Sequence, residues 1–213
     1  MVININNATK YIKKALILDN VTLEFHSGRI YGLQGPNGSG KTMLMRLACG
    51  LIRPTSGAVY IDGKKLGKDM DFPGSLGLLI ENPAFLPNYT GLKNLELLAA
   101  IQKRVGLEEV RRAIRDAGLD PDDKRKFRKY SLGMKQRLGI AAAIMERPEL
   151  ILLDEPTNAL DDQGVTQICE LIRRERERGA LILLACHDAK ILEGLADEIY
   201  TVYDGKVERK ESQ

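Results

Sequence analysis

Asp154 and Glu155 stand next to each other at the end of an apolar run, in the stretch LILLDEPTN of residues 150–158. Neighbouring carboxylates repel each other, and successive side chains of a β-strand point to opposite faces. The two carboxylates must therefore point to opposite faces of the strand. A chain that keeps both acids is expected to use each for a different purpose.

The glycine-rich segment GPNGSGKT lies between a predicted strand that ends at Gln34 and a predicted helix. It matches the pattern GxxxxGK[ST], in which glycines let the backbone aim several N–H groups at a phosphate next to a helix N-terminus. In this pattern Lys41 reaches the β- and γ-phosphates, and the Thr42 hydroxyl is a Mg²⁺ ligand. The residues predicted to bind nucleotide here are Gly35, Pro36, Asn37, Gly38, Ser39, Gly40, Lys41, Thr42 and Met43.

The acid pair gains a role beside such a loop. In P-loop proteins an apolar strand that ends in Asp is expected to lie beside the P-loop strand and to hold Mg²⁺ through water. Asp154 is predicted to take this role. Glu155 is predicted to orient or polarise the water that attacks the γ-phosphate. The alternative is a pair of solvent-facing acids at a strand end.

Size and composition are those of one soluble globular domain. The chain has 213 residues, of which 44% are hydrophobic and 29% are charged. A formal charge of only +3 argues against a dedicated nucleic-acid binder, so no nucleic acid is expected as a partner. The N-terminus has no apolar segment suited to a signal peptide, and no run approaches the roughly 20 apolar residues that cross a bilayer. These features predict a cytoplasmic chain.

Buried apolar runs alternate with helical patterns through much of the sequence. This alternation predicts an α/β fold of the P-loop NTPase (RecA-like) type, with a mostly parallel sheet flanked by helices and an antiparallel β region near the N-terminus. Residues 83–130 instead suggest two amphipathic helices, with Thr90 before the first and glycines at 106 and 118 at their ends. We predict a catalytic core of residues 1–82 and 131–213 with an inserted helical lobe of residues 83–130.

The order of these motifs resembles that of the ATP-binding subunit of ATP-binding cassette (ABC) transporters over nearly the whole chain. GPNGSGKT is followed by Glu81 after a strand, then by the helical lobe. YSLGMKQR (residues 130–137) looks like the LSGGQxQR signature, and it precedes the strand that ends in the acid pair. NALD (residues 158–161) resembles the D-loop, and His187 follows the next strand like the switch histidine.

The resemblance implies that two cassettes close head to tail around two ATP molecules with Mg²⁺. The second cassette is either an identical chain or a paralogue, and its signature contacts the γ-phosphate held by the first P-loop. Glu155 and His187 are the implied catalytic residues, and Thr42, Glu81 and Asp154 are the implied metal ligands. The implied signature residues are Ser131, Leu132, Gly133 and Met134, and the implied D-loop residues are Asn158, Ala159, Leu160 and Asp161.

Tyr11 matches the position at which this family stacks an aromatic ring on adenine. The alternative is an ordinary half-buried tyrosine of a strand. The signature departs from the family pattern at Tyr130, Leu132 and Met134, and Leu132 in place of glycine would restrict the approach of nucleotide.

Glu81 stands where most cassettes of this family carry glutamine, and it would give Mg²⁺ a charged oxygen ligand. The segment GLLIENPAFLPNYTGLKNL resembles cassettes of lantibiotic and bacitracin-type peptide resistance exporters, in which this glutamate recurs. The alternative is a replacement without subfamily meaning.

The resemblance implies an ATPase subunit that powers transport through a separately encoded transmembrane permease, peripheral on the cytoplasmic face of the membrane. Phe85, Leu86 and Tyr89 are candidates for docking that permease, or else belong to the core of the lobe. A second hypothesis is a soluble ABC-class ATPase that acts as a nucleotide-gated interaction module in translation, DNA repair or cofactor assembly. A third, a small-molecule P-loop kinase, leaves the signature-like segment, the D-loop and His187 unexplained.

Overall fold

A computed structural model describes residues 1–210 of the chain, which form two β-sheets and six α-helices. The strands are β1 (Val2–Ile12), β2 (Ala15–His26), β3 (Ile30–Gln34), β4 (Ser56–Ile61), β5 (Lys64–Lys65), β6 (Leu76–Leu79), β7 (Leu150–Asp154), β8 (Leu181–Ala185), β9 (Glu198–Tyr203) and β10 (Lys206–Arg209). The helices are α1 (Lys41–Ala48), α2 (Gly91–Gln102), α3 (Leu107–Asp116), α4 (Leu132–Ile144), α5 (Asp162–Glu177) and α6 (Ala189–Leu195), with a short 3₁₀ turn at Phe127–Lys129.

The larger sheet has the strand order β10-β9-β3-β8-β7-β6. All neighbouring strands are parallel except β10, which pairs antiparallel with β9 at one edge. This arrangement confirms the predicted mostly parallel sheet. It also corrects one expectation, because the strand that ends in Asp154 does not lie beside β3, and β8 separates the two.

The larger sheet is buried on both faces, and strand alternation assigns its side chains to two apolar clusters. In β7, Leu150 and Leu152 pack with α1 and the smaller sheet, while Ile151 and Leu153 pack with α4 and α5. The cysteines are buried and free, as expected of small apolar residues: Cys49, Cys169 and Cys186. Burial raises the pKa of each of these thiols.

The smaller sheet confirms the predicted antiparallel region near the N-terminus. Its strand order is β2-β1-β4-β5, and β1 pairs antiparallel with both β2 and β4. The hairpin between β4 and β5 turns at Asp62 and Gly63, an Asp-Gly pair that favours such turns, with φ angles of 48° and 77°.

The segment between β6 and β7 contains α2 and α3, which pack against α4 and share the apolar cluster of the larger sheet. Thr90 caps α2 as predicted, since its side chain accepts a hydrogen bond from the backbone N–H of Lys93. The predicted end of α2 at Gly106 is wrong. Lys103 takes a left-handed conformation with φ 55° and ends the helix earlier, and Gly106 becomes the N-cap of α3. None of the helices within residues 1–210 is long and apolar enough to cross a bilayer.

Candidate nucleotide and metal site

The glycine-rich segment links β3 to α1 at the carboxyl-terminal edge of the larger sheet. The predicted turns at Gly35, Gly38 and Gly40 have φ angles of 157°, 79° and 115°. A side chain at Gly35 has no room, because a Cβ there would lie 2.1 Å from the carbonyl oxygen of Val202 in β9. The backbone of the loop is therefore held against the sheet, and α1 begins directly beyond it.

Lys41 is buried within this loop, with only 6% of its surface exposed. Its Nζ donates hydrogen bonds to the carbonyl oxygens of Gly35, at 2.7 Å, and Pro36, at 3.0 Å. An ammonium group has three N–H donors, so these two bonds use part of its capacity. The loop thus keeps a positive charge in place among inward-facing backbone groups.

Thr42 and Asp154 meet although their positions are far apart in sequence. The Thr42 Oγ1 donates a hydrogen bond to the Asp154 Oδ2 at 2.5 Å. Since Asp154 ends β7 and Thr42 lies in the first turn of α1, the sheet and the P-loop helix together bring the two oxygens to one point. Both residues are among the predicted metal ligands.

Glu81 lines the same cleft, and its carboxylate pairs with the guanidinium of Arg46 on α1. Within residues 1–210 no three His, Cys, Asp or Glu side chains are grouped so as to hold a metal by themselves. The donors present are one hydroxyl and two carboxylates. This set fits Mg²⁺, which takes oxygen ligands and is held by one or two carboxylates together with substrate phosphates.

Glu155 is held by its neighbours in an unusual backbone conformation. Its φ is 51°, in the left-handed region that residues with a Cβ rarely adopt. Its backbone N–H donates to the carbonyl of Ala185 at 2.9 Å, and its Oε2 accepts from the backbone N–H of His187 at 3.2 Å. Such strain in a cleft is typical of functional positions.

The His187 side chain also approaches Glu155, with 3.2 Å between Nε2 and Oε1. Oε1 is buried and has no hydrogen-bond partner within residues 1–210. Burial raises the pKa of the Glu155 carboxyl, and the N–H and imidazole of His187 oppose that effect. A buried carboxylate with an unsatisfied oxygen is chemically suited to accept a proton or a hydrogen bond from a ligand.

The predicted residues surround a cleft of about 510 Å³. Predicted residues that line it are Asn37, Gly38, Gly40, Lys41, Thr42, Met43, Glu81, Asp154, Glu155, Asn158 and His187. The cleft is also lined by residues that were not predicted to belong to the site, namely Ile12, Ile17, Asn82 and Gln136.

Tyr11 is not among the residues that line the cleft. It is 46% exposed and lies in β1 opposite Leu16 of β2, and its backbone N–H donates to Thr55 Oγ1. The apolar wall near the P-loop is built by Ile12 and Ile17 instead. Adjacent residues of a strand face opposite sides of the sheet. Since the Ile12 side chain lines the cleft, the Tyr11 side chain points to the other side.

The signature-like segment forms the start of α4. Ser131 is its N-cap, and the Ser131 Oγ accepts a hydrogen bond from the backbone N–H of Met134 at 3.2 Å. Leu132 is 61% exposed, while Met134 packs against the larger apolar cluster. Of the three signature residues that depart from the family pattern, Leu132 is thus the exposed one.

The D-loop candidate packs against the signature-like segment of the same chain. A Cβ at Gly133 would lie 2.6 Å from the carbonyl oxygen of Ala159, so only glycine permits this approach. Leu160 packs against the larger apolar cluster, and Asp161 caps α5 by accepting from the backbone N–H of Gly164 at 2.9 Å.

Tyr130 contacts the start of α2. Its hydroxyl accepts a hydrogen bond from the backbone N–H of Gly91, the first residue of α2, and its ring is buried beside Phe127. The tyrosine in place of the family's leucine therefore connects the signature-like segment to the start of α2.

A P-loop whose lysine and threonine face a strand-end acid pair on a parallel sheet defines a P-loop nucleotide-binding protein. The sequence model of the ABC transporter family matches residues 18–158. The chain belongs to this family, as an ATP-binding subunit of the cassette type.

Curated relatives match almost the whole chain. An ABC transporter ATP-binding protein of Bacillus subtilis, YybJ, is 45% identical and covers 98% of this chain and 96% of its own length. The bacitracin transport ATP-binding protein BcrA of Enterococcus faecalis is 38% identical over 96% of this chain and 67% of its own. The lantibiotic transport ATP-binding protein SrtF of Streptococcus pyogenes is 35% identical over 96% of this chain and 88% of its own. The resemblance to bacitracin and lantibiotic cassettes is confirmed.

A solved structure has the same fold. It is a dimeric ATP-binding cassette in a post-hydrolysis state, bound to ADP and Pi, with a TM-score of 0.87 and 28% identity over 99% of this chain and 98% of its own. The predicted fold class and the predicted enzyme class, an ATPase cassette, are both confirmed at the level of the family.

Proposed function

We propose that this chain hydrolyses MgATP and thereby powers transport, with export of a peptide or antibiotic-like compound as its cellular role. The observation that carries the proposal is the contact between Thr42 and Asp154 beneath the P-loop, with the strained carboxylate of Glu155 next to it. These groups bring phosphate-binding, metal-binding and base chemistry into one cleft.

Each side chain has a separate role in this proposal. Lys41 and the loop amides bind the phosphates, and Thr42, Glu81 and Asp154 hold the metal. Mg²⁺, when bound, neutralises charge that develops on the phosphate oxygens. Glu155 accepts the proton of the attacking water, and His187 both orients Glu155 through its backbone N–H and contacts the γ-phosphate.

The cleft of one chain is completed by a second cassette, identical or paralogous. Ser131, Leu132 and Gly133 lie at the start of α4, where backbone N–H groups and the helix dipole favour an anion. The dimeric structure bound to ADP and Pi supports this arrangement, as do the exposed positions of Ser131 and Leu132.

A separately encoded transmembrane permease is the proposed partner, and it would hold the chain on the cytoplasmic face of the membrane. The names of the bacitracin and lantibiotic relatives support this role and the class of cargo. We propose the helical lobe of residues 83–130 as the docking unit on a core of residues 1–82 and 131–213. Leu86 and Tyr89 are 50% and 46% exposed there, whereas Phe85 packs edge-on against Phe127 inside the lobe.

The proposal is tested by Glu155→Gln. This variant keeps the shape of the side chain and removes its capacity to accept a proton, so we expect unchanged MgATP affinity and a loss in turnover of about 10²–10⁴-fold. Equilibrium binding of a fluorescent ATP analogue and steady-state phosphate release measure the two quantities. Phosphate release at the parental rate would refute the role of Glu155 as the base.

A further inference from the structure

Gln136 is a buried polar side chain at the wall of the nucleotide cleft. Only 7% of its surface is exposed, and its Nε2 donates a hydrogen bond to the backbone carbonyl oxygen of Glu155 at 2.8 Å. Buried polar groups are hydrogen-bonded because an unsatisfied one is costly, so this bond fixes both partners. Gln136 contacts the backbone of the residue that we propose as the base.

Glu155 depends on such contacts because its backbone conformation is unfavourable by itself. The residue combines φ 51° with a Cβ, so surrounding hydrogen bonds must hold it there. Its carbonyl oxygen also accepts from the backbone N–H of Asn158 at 3.2 Å, and its N–H is bonded to Ala185. Among these partners, Gln136 is the one that reaches the peptide from a different layer of the fold, α4.

We infer that Gln136 is a positioning residue for Glu155, which ties the base to the helix that begins with the signature-like segment. The inference rests on the proposed function, in which Glu155 activates water. Gln136 lies about one and a half turns beyond Ser131, the N-cap of α4, so a displacement of that helix is transmitted to the Glu155 peptide. Small misplacements of a catalytic group reduce the rate of the chemical step far more than they reduce binding.

The test is Gln136→Met, which keeps the length of the side chain and removes its amide. We expect kcat to fall about 10- to 100-fold while the Kd for MgATP stays within about threefold, since Gln136 acts through Glu155. Hydrogen exchange in the peptide of residues 154–160 should become at least several-fold faster, because the carbonyl of Glu155 has lost one partner. Gln136→Asn, whose amide is too short to reach, should show the same fall in kcat.

Gln167→Met is the matched control. Gln167 is partly buried on α5 and accepts a hydrogen bond from Arg137 at 2.9 Å, away from the residues that line the cleft. The control is expected to retain parental kcat and parental exchange in residues 154–160. The inference is overturned if Gln136→Met matches the control in both measurements, or if Kd and kcat change equally.

The outcomes separate this inference from the proposed function. Parental turnover of Glu155→Gln would remove the proposed base and the inference with it. Loss of turnover in Glu155→Gln, combined with parental turnover in both Gln136 variants, would overturn the inference alone.

Discussion

Glu81 stands where most cassettes of this family carry glutamine, and its carboxylate forms an ion pair with Arg46. Arg46 stands in the last turn of α1 and pairs with Glu81 across the cleft. A carboxylate that serves as a metal ligand cannot keep the same ion pair unchanged. With Glu81 as the proposed metal ligand, Mg²⁺ and Arg46 would compete for its carboxylate, which a neutral glutamine would not allow to the same extent.

The competition predicts that Arg46→Gln raises the apparent affinity for Mg²⁺ when nucleotide binds. Glu81 is exposed, and exposed ion pairs contribute about 1 kcal/mol or less, so the apparent affinity for Mg²⁺ should rise by no more than about fivefold. Titration of Mg²⁺ against a fluorescent ATP analogue measures the change.

The same substitution in a Glu81→Gln background should have no effect, because the competing carboxylate is gone. Arg53→Gln, which breaks the exposed pair of Arg53 with Asp71 at 3.0 Å, is the control and should leave the Mg²⁺ titration unchanged. An equal response in both Glu81 backgrounds would contradict the competition.

At the scale of elements, α2 presents an apolar face to solvent. Leu97 and Ile101 are one turn apart on it, with Leu98 beside them, and their exposed fractions are 39%, 75% and 37%. The start of the helix is fixed by Thr90 and by the hydroxyl of Tyr130. The face is therefore firmly held by the rest of the lobe, and its exposure is consistent with the proposed docking of a membrane subunit.

Ile101→Asp should abolish docking and leave the nucleotide site intact. A carboxylate in the middle of an apolar contact has to be desolvated without a partner, so we expect at least a tenfold loss of membrane subunit in co-purification from detergent extracts. Tyr203→Asp, at a 61% exposed position of β9, is the matched control. ATP hydrolysis by both isolated variants should match the parent, and co-purification of Ile101→Asp at the control level would exclude this face.

Much of this architecture can be predicted from the sequence, because its determinants are local. Turn residues at Asp62 and Gly63, the Thr90 cap and the apolar strands all act on their immediate neighbours. The end of α2 is not predictable in this way, since Lys103 rather than glycine adopts the left-handed conformation. The 11-residue β1 was not predicted either, because its interrupted pattern of apolar residues includes bulges against both neighbouring strands.

The candidate site likewise combines features that local sequence predicts with contacts between distant residues that it does not. The P-loop and the acid pair are recognisable from short motifs, whereas the contacts of Arg46 and Gln136 join residues 35 and 19 positions apart. Arg46 belongs to no quoted motif, and Gln136 matches the second glutamine of LSGGQxQR, but that pattern does not indicate which backbone group the side chain contacts. The adenine contact of Tyr11 stays a prediction, since the residue that lines the cleft is its neighbour Ile12.

At the scale of the whole molecule, one chain holds a P-loop and an acid pair that line its own cleft, together with a signature-like helix start whose residues 131–134 do not line it. Of the predicted signature and D-loop residues, Asn158 lines the cleft of its own chain. The proposed second cassette would supply the others. Leu132 would then lie at the contact with the partner, where a glycine would leave more room.

Glu155→Gln with MgATP is expected to convert the chain from monomer to dimer, because slow hydrolysis lets the closed state accumulate. Sedimentation velocity with and without Mg²⁺ measures the conversion, and Lys41→Ala, which lacks the phosphate-binding ammonium, should remain monomeric. A monomer at saturating MgATP would contradict closure between identical chains and would favour a paralogue as the second cassette.

The close approach of Gly133 to the carbonyl of Ala159 has a consequence for the contact between two cassettes. Two segments far apart along the chain, residues 131–134 and 158–161, form one continuous surface. Because they are in close contact, neither segment can shift independently of the other. A second cassette would contact both segments at once, so a poor fit at either segment would weaken the contact over the whole surface.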